Sequence, residues 1–235
     1  MVYNWQQWLF PATCLICGAA GHDNLDICPD CLDKLPLNQH FCPCCALPLQ
    51  TQSPQEMLCG QCSQQRPAYS HIVAPWLYQA PVDDLIQQLK FHQKLATGRL
   101  LGQLFARKLS TRKLPEMLLP MPLYKRQLRR RGFNHASELT GFIARELDIP
   151  WSPWLLKKIR ETRPQHNLRK QERKQNLKNC FSFNNAKGYR HLAIIDDVVT
   201  TGTTAQEAAK TLTKAGVAQV EIWSLTRTPI ETYRI

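Results

Sequence analysis

The stretch from Ala193 to Leu212, AIIDDVVTTGTTAQEAAKTL, sets acid, hydroxyl and glycine in an order that suits one kind of ligand. An apolar run ends at Asp196 and Asp197. Thr200, Thr201, Gly202, Thr203 and Thr204 follow, and then a helix-forming stretch begins. In α/β proteins ligands sit outside the carboxyl ends of parallel strands, which is where the two acids would lie. Backbone N–H groups, threonine hydroxyls and the positive end of a helix together make an anion site, and Gly202 permits close backbone approach. A phosphate suits the loop. The carboxylates suit the vicinal hydroxyls of a ribose, since each accepts more than one hydrogen bond. Phosphoribosyl pyrophosphate (PRPP) joins a 5-phosphate, a ribose and a metal-bound pyrophosphate in one molecule. The motifs GxxxxGK[ST] and GxGxxG are both absent. The competing reading is a turn aspartate followed by a threonine-capped helix.

The second chemically loaded stretch is the N-terminal third. Cys14-x2-Cys17 and Cys28-x2-Cys31 stand ten residues apart; Cys42-x2-Cys45 and Cys59-x2-Cys62 stand thirteen apart. A CxxC knuckle lets two thiolates point at one ion, and Zn²⁺ accepts four in a tetrahedron. Such a short segment has little apolar surface, so the metal would supply folding free energy. The expectation is structural zinc, because a closed shell of thiolates leaves no open position for chemistry. Sequential tetrads, an interleaved cross-brace and a single retained site all fit the spacing. Cys44 could compete with Cys45, and His22 or His40 could substitute. Cys180 reads as a small core residue.

Elements must hold these groups in place. The length and a hydrophobic content of 43% allow one α/β domain plus a small module. The composition shifts near QQRPAYSH, so we expect a cysteine-rich zinc-binding module over 1–67 and an α/β domain over 68–235. HIVAPWLY, EMLLPMPL, CFSF, HLAIID and AQVEIWSLTRT read as strands. Residues 82–109 read as helical with a break near Thr97–Gly98, and 135–148 and 203–215 read as helices. The β–α–β order implies a mostly parallel sheet. The net charge of +12 is focused: residues 157–178 carry +7 and residues 125–131 carry +5, together the whole surplus. That focusing suits a polyanionic partner, although a charge run by itself is most simply a solvated face. No apolar run is long enough to span a membrane. The N-terminus lacks the basic region of a signal peptide, and the cysteines suit metal rather than disulfides, so a cytoplasmic protein is expected.

The stretch DDVVTTGTT closely resembles the PRPP motif of type I phosphoribosyltransferases. The resemblance implies that Asp196 and Asp197 hold the ribose hydroxyls and that residues 200–204 hold the 5-phosphate. It implies further that PMPLYKR forms the pyrophosphate loop, with Lys125 or Arg126 near the phosphates and Mg²⁺ accompanying PRPP. Arg163, Arg169 and Arg173 fall where such enzymes carry a mobile active-site loop. More of the chain matches a narrower family. CLICG…ICPDCL…FCPCCALPL…LCGQC, then LKFH, RRRGFNHASELT, TRPQHNLRKQERKQNLKNCF and the PRPP motif, in that order, resemble the ComF/GntX proteins over nearly the whole length. That family is similar to type I phosphoribosyltransferases in its C-terminal part and is associated with uptake or use of external DNA. It is also linked by name to gluconate, for which this sequence offers no site. The resemblance thus implies a type I phosphoribosyltransferase-like domain behind a zinc-binding module, with an enzyme of unknown acceptor as one reading. The other is a non-catalytic protein that grips single-stranded DNA or nucleotides through its basic stretches, keeps the PRPP site as sensor or relic, and meets the DNA-uptake machinery. On that reading Tyr124, Phe133 and His135 are candidates to stack on bases.

Overall fold

The computed structural model describes residues 11–49, 57–109, 113–162 and 176–229. Strands β1 (His71–Val73), β2 (Trp76–Leu77), β3 (Met117–Pro120), β6 (His191–Val199) and β7 (Gln219–Arg227) form the central sheet. Its order is β1–β7–β6–β3, with β2 also on β7, and every pairing is parallel. Helices α3 (Val82–His92), α4 (Leu95–Arg107) and α6 (His135–Leu147) cover one face, and α7 (Thr203–Lys214) covers the other. This is why Leu192 to Ile195 are all apolar: Leu192 and Ile194 pack towards α7, while Ala193 and Ile195 pack towards α3, α4 and α6. The expected α/β architecture, a mostly parallel sheet behind a cysteine-rich module, is the one adopted. No helix among the described residues is long and apolar enough to cross a membrane.

Local departures have local causes. HIVAPWLY is two strands, because Pro75 between them has no N–H to give a ladder. The helical stretch breaks at Gln93, in a left-handed conformation (φ 50°), and not at Thr97–Gly98. Gly98 lies inside α4 because a Cβ there would meet Leu89 Cδ1 at 3.0 Å and Phe142 Cε2 at 3.3 Å, so its role is close packing. The basic stretch Lys125–Arg131 is helix α5, and none of its residues is buried. CFSF supplies β5 (Phe181–Phe183), which pairs antiparallel with β4 (Leu156–Lys158) outside the main sheet.

The cysteine-rich segment folds as two similar units. In each, the first cysteine accepts from the fourth residue after it (Gly18 N–H to Cys14 O, Ala46 N–H to Cys42 O, both 2.9 Å). That fourth residue is left-handed in both, with φ 78° at Gly18 and 54° at Ala46. Short helices α1 (Pro29–Asp33) and α2 (Gly60–Gln64) carry the last cysteine of each unit. The two units pack on opposite faces of the sheet. Cys14, Cys28 and Cys31 join the core of α3, α4 and α6, whereas Cys42, Cys45, Cys59 and Cys62 join the core of α7.

Candidate functional site

The thiols of Cys14, Cys17, Cys28 and Cys31 lie within 4.8 Å of one another, and so do those of Cys42, Cys45, Cys59 and Cys62. Cys17 and Cys28 Sγ are 3.6 Å apart, as are Cys45 and Cys59 Sγ. Four sulfurs about 2.3 Å from one ion in a tetrahedron stand roughly 3.8 Å apart, whereas a disulfide needs about 2 Å. The residues therefore fit zinc in two sequential tetrads, not an interleaved brace, and Cys44 and the histidines lie outside both. Burial works against ionisation at Cys14 and Cys42. Backbone amides outweigh it and bring the two thiols down to about 6 and about 7. Burial pushes Cys31 and Cys45 up to about 12, helped by the neighbouring thiols of their own tetrads. A divalent ion reverses that second effect, since it binds thiolates.

At the carboxyl end of β6 the chain enters the acid–hydroxyl–glycine stretch. Gly202 caps α7 with φ 74° and ψ 2°, a left-handed turn that an L side chain resists. The turn aims the chain into the helix, whose first bond runs from Gln206 N–H to Gly202 O at 2.9 Å. Thr201 and Thr203 hydroxyls lie 2.9 Å apart, and Thr203 N–H donates to Thr201 Oγ1 at 3.4 Å. The result is a shallow, open hollow lined by Asp196 and residues 198–205. All of Thr200 to Thr204 line it, and so does Asp196. Asp197 does not.

Asp197 points into a different network. It is buried, ion-paired to Lys90 Nζ of α3, and 3.4 Å from His135 Nε2 at the start of α6. Burial alone would raise its pKa, but the Lys90 ammonium and His135 hold the carboxyl well below the usual range. Asp196 goes the other way: burial and the neighbouring Asp197 charge push it well above that range, against the pull of Lys90. Asp197 N–H donates to Asp196 Oδ1 at 3.0 Å. The adjacent acids are thus electrostatically unlike. One is a committed anion facing a fixed cation, and the other is a carboxyl facing the hollow.

Lys90 and His135 were not among the residues expected at the site. The signal was present in LKFH and RGFNHA, but nothing local in either sequence says that both reach Asp197. Within RGFNHA, Gly132 ends α5 in the left-handed region (φ 79°), and Asn134 caps α6 through Ala136 N–H at 3.1 Å. Asn134 also donates to Met121 O at 3.1 Å, which fixes the stretch after β3. His135 is buried against Asp197 and is not free to stack on a base. Tyr124 and Phe133 are half-buried. Lys125 and Arg126 are exposed at the start of α5, beyond the carboxyl end of β3 and so at the same sheet edge as the hollow; Arg126 pairs with Glu161 at 3.7 Å. Lys158 of β4 is close enough to exchange charge effects with Asp196, and burial lowers its pKa. Arg163, Arg169 and Arg173 lie outside the described residues.

A family profile described as a double zinc ribbon domain matches residues 5–63. The DNA utilization protein YhgH of Escherichia coli K12 is 37% identical over 227 residues, spanning 93% of this chain and 98% of that protein. Competence protein F of Haemophilus influenzae is 37% identical over 196 residues, spanning 80% and 84%. Among solved structures, an adenine phosphoribosyltransferase from Thermoanaerobacter pseudethanolicus covers 58% of this chain and 83% of its own, at 16% identity and a TM-score of 0.34. That likeness is too slight to carry a ligand or a chemistry across.

Proposed function

The chain belongs to the ComF family, that of competence protein F and the DNA utilization protein, and on that premise we propose that it binds PRPP in the uptake or use of external DNA. The observation that carries the PRPP reading is that one hollow joins Asp196 to the left-handed turn at Gly202 and its flanking threonines. Residues 200–204 would hold the 5-phosphate through backbone N–H groups and hydroxyls. Asp196 would accept from the ribose hydroxyls once ionised. Asp197 would act at one remove, as the charge that Lys90 and His135 clamp beside it. Lys125, Arg126, Arg163, Arg169 and Arg173 would face the pyrophosphate, which brings its own Mg²⁺. If the protein is a transferase, the C1–oxygen bond to pyrophosphate breaks and a bond from C1 to the acceptor forms. These side chains then serve by holding the two ends of PRPP and offsetting the leaving charge. No part of the described structure selects an acceptor.

Helix α5 favours a second activity beside the first. Its five basic residues are unburied, and it starts at the sheet edge that carries the hollow, a placement that suits the phosphates of single-stranded DNA. Thermal unfolding tests the PRPP reading. Mg²⁺–PRPP should raise the melting temperature more than equal ribose 5-phosphate or pyrophosphate, because a ligand that binds only the folded state stabilises it. Equal small shifts for all three would remove it. Pyrophosphate release from PRPP, followed against a panel of nucleobases and nucleotides, decides between transferase and sensor.

A further inference from the structure

The second cysteine unit does more than fold itself. Arg227, at the end of β7, is buried, and among the described residues no carboxylate forms an ion pair with it. Its guanidinium instead reaches in two directions. Nε donates to Cys45 O at 3.1 Å, across 182 positions of sequence. Nη1 donates to Val199 O at 2.9 Å and to Thr200 O, the two carbonyls that open the TTGTT loop. In a trans peptide the N–H points opposite to the C=O. Holding both carbonyls on Arg227 therefore turns the N–H groups of Thr200 and Thr201 away from it. A buried guanidinium needs hydrogen bonds and a counter-charge. The carbonyls give the first. A zinc centre of four thiolates at the second tetrad would give the second, because four thiolates outweigh one divalent ion and leave the centre net anionic.

Two more contacts run from the residues just after the second unit to the loop and the first turn of α7. Ala68 N–H, just after α2, donates to Gln206 Oε1 of α7 at 2.9 Å. Buried Tyr69 brings its hydroxyl within 3.7 Å of where a Cβ on Gly202 would stand. Among the described residues, none of the first tetrad's cysteines bonds to Arg227 or to the loop over 199–204. The first unit is tied to α4, through Asp26 to Arg99 and through Asp23 O to Arg107.

We propose that Arg227 is a positioning residue that couples zinc at Cys42, Cys45, Cys59 and Cys62 to the order of the loop over 199–204, while zinc at the first tetrad has no part in it. Loss of the second zinc removes the counter-charge, loosens the guanidinium and frees Thr200 O, while Val199 O keeps its bond from Thr228 N–H at 3.1 Å. The coupling concerns loop order and stands whether or not PRPP is the ligand; only its affinity arm rests on the PRPP reading.

The test uses the full-length zinc-loaded chain, with zinc content and amide hydrogen exchange measured on the same samples. Cys31→Ser and Cys62→Ser each remove one tetrad. Arg227→Gln leaves both tetrads intact and covers the case in which Cys62→Ser fails to fold. We expect Arg227→Gln to keep its zinc and to exchange amides over 199–206 about tenfold faster. Cys62→Ser should lose one zinc with the same loop effect. Cys31→Ser should lose one zinc with the loop unchanged. In Mg²⁺–PRPP titrations the first two variants should bind about tenfold more weakly and the third like wild type. A loop as protected in Arg227→Gln as in wild type overturns the proposal, and so does equal loosening in Cys31→Ser. Wild-type loop protection without any PRPP binding would sink the ligand assignment and leave the coupling to be judged on exchange alone.

Discussion

Asp196 and Asp197 are neighbours of one residue type with opposite duties, and the difference is measurable. Asp196→Asn should weaken Mg²⁺–PRPP binding at least tenfold, about 1.4 kcal/mol or more, because a charge-assisted acceptor is replaced by an amide. Its effect on stability should be small, since burial already disfavours its ionised form. Asp197→Asn should instead cost up to roughly 3–5 kcal/mol in urea denaturation, because it removes the anion that Lys90 and His135 both face, a loss moderated as Asp196 ionises beside Lys90. The pH dependence follows from the directions of the shifts. Asp197 is depressed in the folded state, so its contribution is present above its unfolded value of about 3.9 and is lost as pH falls through the lower folded value. Lys90 is raised, because Asp197 outweighs the cost of burial. Its contribution is present below about 10.4 and is lost as pH rises through the higher folded value. Wild type compared with Lys90→Met across both ranges checks this. Asp196 is raised, so PRPP affinity should fall with falling pH earlier than an ordinary carboxylate would allow, and binding should release a proton that calorimetry in two buffers detects. The sequence made both acids visible as a pair but gave no sign of their division, which is set by Lys90 and His135 from helices that only the fold brings near.

Among the elements, the strand–turn–helix unit over 191–214 was the most legible, because each of its parts has a local cause. An unbroken apolar run marks a strand buried on both faces, and glycine marks the left-handed turn. Gly202→Ala should therefore destabilise by about 1–2 kcal/mol through backbone strain at φ 74°. The nearest atom to the new Cβ, Tyr69 Oη, is an ordinary 3.7 Å away, so crowding adds nothing. Chemical denaturation checks the size, and a large excess over that range would point to a clash instead. In sequence the stretch of α5 reads as a charge run and, at Lys125 and Arg126, as part of a phosphate loop rather than as a helix, because seven residues with no buried position carry no apolar period. If it holds DNA, replacing Arg129, Arg130 and Arg131 with Ala should weaken single-stranded DNA binding alike for all sequences. The salt dependence should flatten by about two units of slope, near 0.7 per phosphate contact. An unchanged slope would leave α5 a solvated face. The helix break was misplaced for a related reason: Gly98 looks like a breaker in sequence, but its neighbours Leu89 and Phe142 need it small.

At the scale of the whole molecule, the cysteine count predicts that protein purified without a tag carries close to two zinc per chain, which metal analysis measures directly. One zinc would contradict the two tetrads. Their existence was legible because CxxC is local in sequence. Their placement on opposite faces of one sheet was not, because it depends on contacts such as Arg227 to Cys45 that no window of sequence contains. The same limit hid the convergence of LKFH, RGFNHA and the acid pair on Asp197. We propose the hollow at the carboxyl end of β6 as a PRPP site. Its most direct test is calorimetric titration of Mg²⁺–PRPP into the zinc-loaded full-length chain, beside Asp196→Asn. Wild type should bind saturably at one site, and the variant with at least a tenfold weaker constant. No saturation at millimolar PRPP, or equal affinity in the two proteins, would contradict the proposal.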